Sequence, residues 1–272
     1  MSRARNITFE RRGGNGTAER LAALAAELVA LKVDLIVAIA TPAARAAQQA
    51  TSTIPIVAGS VGDPVQDGFA ASLAHPGGNI TGARFLGPEL VSKRFALLKE
   101  LLPKAINVAV LWNPQAFDAR TTAGMVEQTN EVAKTLAVQL QYIEVPSLDQ
   151  FERAVGAAAK RNVDALFQFP IRPSLRIASG LSTSRRNTAR PRRTISREFV
   201  EVGGLIGYGA SPVDINRRTA FYVDRIIRGA KPADLPIEQP TTFDLSINRS
   251  TAKTLGIDIP TTLLAAADQL ID

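Results

Sequence analysis

The sequence contains no cysteine and a single histidine, His75. The lack of cysteine excludes disulfides, thiolate zinc sites and cysteine nucleophiles, and one histidine is too few for a histidine-rich metal site. The glycines at 13–16 match no nucleotide-binding motif, and the acidic residues show no metal-ligand spacing. We therefore expect neither a metal nor another cofactor.

Long apolar runs are also missing. No run reaches the roughly 18 residues of a membrane span, and the first residues carry charge without an apolar segment behind them. From these residues we expect neither a membrane anchor nor a signal peptide, which would make the protein cytoplasmic if the sequence is complete.

Positive charge is confined to one part of the chain. The formal net charge is +7, but residues 172–197 contain eight arginines and no acidic residue, so the rest of the chain carries a net charge of −1. Because this excess is local and is not spread over a surface, we expect no nucleic-acid partner.

Short apolar runs alternate with longer amphipathic ones along the 272 residues, which predicts an α/β protein with parallel sheets covered by helices. The pattern predicts strands at residues 6–11, 33–40, 54–58, 79–83, 107–112, 139–145, 164–169 and 204–208. A short helix is predicted at residues 64–73.

Two similar stretches suggest two lobes. A helix, a Val-Asp pair, an apolar strand and a proline-containing loop occur around Asp34 and again around Asp164. We expect residues 1–104 with about 241–272 to form lobe one, and residues 105–240 to form lobe two.

Four apolar runs end in a small polar residue followed by proline, a pattern typical of a helix start, where the polar side chain caps free N–H groups. In a parallel sheet such helix starts lie at the carboxyl ends of the strands, where ligands bind. The same pattern is also explained by good helix caps without a ligand. The four pairs are Thr41-Pro42, Asp63-Pro64, Asn113-Pro114 and Ser211-Pro212.

Several segments resemble the substrate-binding proteins of ABC transporters, and within them the subgroup related to tryptophan and tyrosine uptake. They are DPVQDG at 63–68, PGGNITG at 76–82, NVAVLWNP at 107–114, GGLIGYGASP at 203–212 and TAKTLGIDIP at 251–260. The resemblance implies a type I periplasmic-binding fold of two Rossmann-like lobes, which close on a small solute that is then passed to a membrane permease. It also implies a periplasmic location.

Carried over onto this sequence, the resemblance implies a cleft lined by Thr41, Asp63, Asn113 and a Tyr208-Gly209 loop. Aromatic rings can hold planar or cationic ligands. Rings that could stack on a solute here are Phe85, Trp112 and Phe117, although core packing explains Trp112 equally well.

The sequence departs from the family in two places. The opening RNITFERRGG matches the second strand of the relatives, so we expect the first, interior strand of lobe one to be missing. Such a gap would leave unpaired backbone groups on its neighbours. It is explained by a truncated product, a wrongly chosen start codon, or a homodimer that fills the gap.

The second departure is the arginine-rich stretch at 172–197, where relatives have a helix, a buried strand and a loop. A compensated frameshift, a solvated basic loop and a phosphate-binding patch all explain it. The function that the resemblance implies first is a non-enzymatic solute-binding component of an ABC importer, for an amino acid or other carboxylate. The alternatives are a cytoplasmic ligand-sensing domain of a regulator and a degenerate copy that binds nothing.

Overall fold

The computed structural model describes residues 7–13, 18–114, 119–146, 150–169, 200–201 and 203–272. The chain divides into two compact units: a first unit of Met1–Phe85 and Pro212–Pro240, and a second unit of Leu86–Ser211 and Thr241–Asp272. The chain therefore passes from one unit to the other three times. None of the described helices combines the length and the hydropathy needed to cross a bilayer.

The first unit is built on a parallel three-stranded sheet with the strand order β1-β2-β3. Its strands are β1 (Ile36–Ile39), β2 (Ile56–Val61) and β3 (Ile80–Arg84), and its helices are α1 (Ala18–Ala30), α2 (Thr41–Ala50) and α6 (Pro212–Ile227). Helix α2 packs on β1 and β2 and carries α1 on its other side, whereas α6 packs on β2 and β3.

Both faces of this sheet carry apolar side chains. Ile36 and Ile56 belong to a buried cluster with alanines of α2, while Val57 packs with Tyr222 and Ile226 of α6. The Tyr222 hydroxyl donates a 2.6 Å hydrogen bond to the Pro236 carbonyl. Since parallel strands need a helix on each face, α6 completes a sheet whose strands lie more than 100 positions earlier in the chain.

Strand β1 is incompletely covered. Among the described residues it pairs only with β2. Its alternate residues Ile36 and Ala38 are 4% exposed, but Val37 and Ile39 are 45% and 51% exposed. Val37 and Ile39 therefore leave an exposed apolar face on this strand.

Two predicted elements of the first unit are wrong. Residues 7–13 form no helix or strand, and Phe9 is 76% exposed, because a strand requires a partner and none of the described strands pairs with this segment. Residues 64–68 form a hydrogen-bonded turn, and residues 69–73 form no helix. The Pro64 carbonyl there accepts hydrogen bonds from the backbone N–H groups of Phe69 and Ala70.

The second unit contains two three-stranded sheets. In the parallel sheet, β4 (Asn107–Trp112) lies between β5 (Gln139–Glu144) and β6 (Ala165–Gln168). In the other, β8 (Phe243–Asn248) pairs antiparallel with β7 (Ile206–Ala210) and parallel with β9 (Gln269–Ile271). The helices are α3 (Val91–Leu101), α4 (Ala119–Thr135), α5 (Phe151–Ala159), α7 (Arg249–Thr254) and α8 (Thr261–Ala266).

Helix α3 joins these two sheets into one core. Its Phe95 ring packs 4.5 Å from the ring of Phe167 on β6, and its Leu97 and Leu101 pack with Leu205 and other residues of the β7-β8-β9 sheet. Strands β6 and β7 do not pair within the described residues. Residues 170–199, which connect them and include the arginine-rich stretch at 172–197, lie outside the described part of the chain.

Side chains fix two important positions in the second unit. The Asp164 carboxylate accepts hydrogen bonds from the backbone N–H groups of Ile106 and Asn107, at 2.9 and 2.8 Å, which ties the start of β6 to the start of β4. Asn248 caps α7 by accepting from the Thr251 N–H at 2.7 Å, and it donates to the Val200 carbonyl at 3.0 Å.

The α/β class with parallel sheets is confirmed, whereas the antiparallel β7-β8 pair was not predicted.

The observed division also differs from the predicted lobes. Residues 86–104 and 241–272 belong to the second unit, because α3 packs on β6, β7 and β8, and β8 pairs with β7. Residues 212–240 belong to the first unit, because α6 packs on β2 and β3.

Candidate functional site

Thr41 lies at the carboxyl end of β1, as the first residue of α2. Its side chain is 2% exposed, and its Oγ accepts a 2.9 Å hydrogen bond from the backbone N–H of Gly62, just beyond β2. Because this hydroxyl is engaged with the next strand, it does not cap the helix, and the prediction of a Thr41 cap is wrong. Pro42 lies in the first turn of α2, as predicted.

Asp63 lies just beyond the carboxyl end of β2 and is half-buried. Its Oδ1 accepts hydrogen bonds from the backbone N–H groups of Val65 and Gln66, at 3.1 and 3.0 Å, so the carboxylate caps a turn and not the predicted helix. Its Oδ2 has no hydrogen-bond partner in the described part of the protein. One carboxylate oxygen is therefore available to a ligand.

Phe85 directly follows β3. Its backbone N–H donates to the Val61 carbonyl at the end of β2. Thr41, Asp63 and Phe85 thus lie at the same edge of the first unit's sheet, as the parallel arrangement requires.

Asn113 directly follows β4 in the second unit. Its Nδ2 donates a 3.1 Å hydrogen bond to the Pro146 carbonyl, which follows β5, so Asn113 holds two strand-end loops together. The neighbouring Trp112 packs edge-to-face on Tyr142 with 6.0 Å between ring centroids, and its indole N–H is buried without a hydrogen-bond partner among the described residues. Phe117, the third predicted aromatic ring, lies outside the described residues.

Tyr208 and Gly209 lie within β7, opposite Leu245 and Asp244, so the prediction that they form a loop is wrong. The short apolar run that predicted this strand ended two residues too early, because glycine and serine follow Tyr208. The Tyr208 ring stacks on Phe243, with 5.9 Å between centroids and 26° between planes. Its carbonyl accepts a 2.9 Å hydrogen bond from Nε of Arg94 on α3.

Sequence reasoning missed two buried polar side chains of the second unit. Gln168, the last residue of β6, is 2% exposed, and its Oε1 has no partner in the described structure. Arg94 is 6% exposed and falls on the apolar face of α3, three residues from both Val91 and Leu97. Their position in the sequence could have revealed them, because each of these polar residues interrupts an apolar pattern.

Comparison with known proteins identifies the family. The sequence profile described as ABC transporter substrate binding protein matches residues 2–271. The chain belongs to the ABC transporter substrate-binding protein family.

Relatives of this substrate-binding protein agree with that assignment. The chain is 26% identical over 256 residues to a tyrosine-binding protein of Clostridioides difficile, and the match covers 93% of this chain and 71% of the relative. It is similar to the ABC domain in complex with L-Trp from Streptococcus pneumonia, with 31% identity, a TM-score of 0.80, and coverage of 94% of this chain and 85% of that one. A conserved domain protein of Vibrio cholerae is 29% identical, with a TM-score of 0.82 and coverage of 98% and 88%.

The fold is accordingly that of type I periplasmic-binding proteins. As a member of this family, the protein is a small-molecule-binding component of an ABC-type importer. In the described part of the chain, no cluster of acidic or histidine residues has an arrangement that could hold a metal ion.

Proposed function

We propose that this substrate-binding protein binds an amino acid, and specifically an aromatic one, and delivers it to a membrane permease without catalysing a reaction. The proposed contacts are Thr41, Asp63 and Phe85 in the first unit and Asn113, Tyr208 and Gly209 in the second. The observation that carries the proposal is the gathering of three strand ends around Asp63, whose Oδ2 is free of protein partners in the described structure.

The chemistry of these residues suits an amino acid. A half-buried carboxylate oxygen accepts a charge-assisted hydrogen bond from an ammonium group. Aromatic rings next to strand ends provide flat apolar faces, and the Tyr208-Phe243 stack is such a pair. The relatives named above for tyrosine and for bound L-Trp support an aromatic side chain.

Calorimetric titration with L-tyrosine and L-tryptophan tests this proposal on the wild-type protein and on Asp63→Asn. The asparagine keeps an oxygen for the Val65 and Gln66 N–H groups but removes the charge, so affinity should fall by about tenfold or more while the fold persists. Asp224→Asn is the matched control, because Asp224 is an exposed carboxylate of the same unit that pairs with Arg228. Equal affinities of the wild type and Asp63→Asn would remove Asp63 from the site.

We also propose that the protein forms a homodimer through the uncovered edge of β1. The proposal is supported by the exposure of Val37 and Ile39 on a strand that has one partner among the described residues. An unpaired strand edge with apolar side chains is a template for pairing with another chain.

Light scattering coupled to gel filtration tests the dimer. Ile39→Asp should shift the population towards monomer, because it places a charge in the proposed contact, whereas Ile106→Asp, at a residue of the second unit that is 50% exposed, should not. A wild-type protein that stays monomeric at every concentration would refute this proposal.

From its family we infer that the protein acts outside the cytoplasmic membrane. Fractionation of the source cells tests this, with recovery in the periplasmic or surface fraction expected. Recovery in the cytoplasm alone would favour the ligand-sensing alternative.

A further inference from the structure

The turn that carries Asp63 is closed by its own backbone. The Asp67 N–H donates to the Asp63 carbonyl at 2.8 Å, and the Phe69 N–H donates to the Pro64 carbonyl at 2.8 Å. Gly68 has a φ of 72°, a conformation that residues with a side chain rarely adopt. These bonds give the turn its shape, but they do not connect it to a helix.

Helix α2 supplies contacts that hold this turn from outside. Arg45 donates from Nη1 to the Asp67 carbonyl at 3.3 Å and from Nη2 to Asp67 Oδ1 at 3.4 Å. Gln48, three residues further along α2, donates from Nε2 to the Gly68 carbonyl at 2.9 Å. Arg45 therefore binds both the backbone and the carboxylate of Asp67, and Gln48 binds the residue that follows.

The contact between Arg45 and the turn is partly shielded from water. The Asp67 side chain is 6% exposed, and that of Arg45 is 41% exposed. The Arg45 guanidinium lies over the Phe69 ring, with 5.1 Å between Cζ and the ring centroid, which is a cation–π distance. Phe69 is itself buried in the apolar cluster between α2 and the sheet. An ion pair with a buried member is weakened less by solvent than a fully exposed one.

Asp67 is connected to the Asp63 carboxylate by a short path. The backbone N–H groups of Val65 and Gln66, which lie between the two residues, donate to Asp63 Oδ1 at 3.1 and 3.0 Å. A displacement of Asp67 therefore displaces the two N–H groups that orient this carboxylate. Oδ2 moves with Oδ1, because both oxygens belong to one planar group.

We propose that Arg45 is a positioning residue, which holds Asp67 and thereby fixes the Asp63 carboxylate for the ammonium group of the solute. This inference rests on the proposed amino-acid-binding function and adds to it the residue of α2 that presents Asp63. Both residues belong to the first unit. Arg45 acts through the turn and is not itself a contact of the solute.

Paired titrations with L-tyrosine and desaminotyrosine test the proposal, because the second compound has a hydrogen in place of the ammonium group. The wild type should bind L-tyrosine at least about tenfold more tightly than desaminotyrosine. Arg45→Met keeps a long apolar side chain but removes the charge and the donors, so this preference should fall by about threefold or more. Arg217→Met is the matched control, because it removes an exposed cation of the same unit that pairs with Asp214, and it should keep the wild-type preference.

The comparison of two compounds distinguishes positioning from a general structural role. A general loss of structure would lower the affinities for both compounds equally, whereas a displaced Asp63 carboxylate affects only the compound with an ammonium group. An unchanged preference in a folded Arg45→Met protein, with or without an equal loss of both affinities, would overturn the inference.

A measurement on the ligand-free protein separates this inference from the proposed function. If the wild type binds neither compound, or binds both equally, the proposed role of Asp63 fails, and amide hydrogen exchange followed by NMR decides whether Arg45 fixes the turn. In Arg45→Met the amides of Gln66 and Phe69 should exchange about fivefold faster or more than in the wild type. The amide of Ile56 on β2, which donates to the Asn79 carbonyl, should exchange at an unchanged rate. Equal exchange rates of Gln66 and Phe69 in the two proteins would overturn the inference.

Discussion

The substitution Arg94→Met removes a buried charge while keeping a long apolar side chain in its place. Desolvation lowers the pKa of Arg94 to about 9. Each pKa unit corresponds to about 1.4 kcal/mol, so the fall from 12.5 to about 9 means that the charged form costs the folded protein roughly 5 kcal/mol. The variant also loses the hydrogen bond to the Tyr208 carbonyl, which is a charge-assisted bond that contributes about 2 kcal/mol. We therefore expect Arg94→Met to be more stable than the ligand-free wild type by about 3 kcal/mol at pH 7.

The pH dependence of this gain has a definite sign. The folded-state pKa of Arg94 is lower than its value in the unfolded chain, so the unfolded wild type holds one more proton at pH values above about 9. The stability of the wild type relative to the variant therefore rises as the pH increases beyond 9, and the advantage of Arg94→Met shrinks.

Urea unfolding at pH 7 and at pH 10, in a buffer without carboxylate or phosphate, measures both effects. Arg94→Lys is the control, because it keeps a buried cation and should show no gain. A free energy of unfolding at pH 7 that is lower in Arg94→Met than in the wild type by about 1 kcal/mol or more would refute the reasoning. It would mean that other groups of the folded protein already stabilise the charge of Arg94.

Three further predictions concern stability. In urea unfolding, Gly82→Ala should lower the free energy of unfolding by more than about 3 kcal/mol, because Gly82 has a φ of 144° and an added Cβ would lie 1.9 Å from the Ala58 carbonyl oxygen. Gly78→Ala should leave this free energy nearly unchanged, because a Cβ added there would lie 4.0 Å from its nearest neighbour. Asn248→Ala should lower the free energy of unfolding by about 2 kcal/mol, since it removes the α7 cap and the hydrogen bond to the Val200 carbonyl. Burial raises the pKa of the Tyr142 hydroxyl to about 12. The stability that comes from this raised pKa is therefore present below pH 10 and declines as the pH rises from 10 to 12. Tyr142→Phe should reduce the fall in the free energy of unfolding over that range.

Local patterns in the sequence predicted most of the elements but not their partners. Strand β4 has the predicted bounds, because a buried apolar run is visible within a few neighbouring residues. The predicted strand at 6–11 failed in its described part because pairing depends on residues far away in the chain. The antiparallel β7-β8 pair was missed for the same reason.

The sequence predicted those residues of the candidate site whose position follows from the direction of the parallel strands. Thr41, Asp63 and Asn113 each follow a strand, and the parallel arrangement alone places such residues at one edge of each sheet. Arg94 could not be assigned in this way, because only the fold shows that its side of α3 is covered and that no described carboxylate reaches it. Buried charge is a property of the packed protein, and composition does not reveal it.

The three passages of the chain between the units also have a consequence for biosynthesis. Strands β2 and β3 leave the ribosome early, but α6, which covers one of their faces, is made only after β4, β5, β6 and β7. The nascent first unit therefore exposes the apolar face around Val57 until Tyr222 and Ile226 have been translated. During that interval the growing polypeptide is a natural client for a chaperone that binds exposed apolar strands.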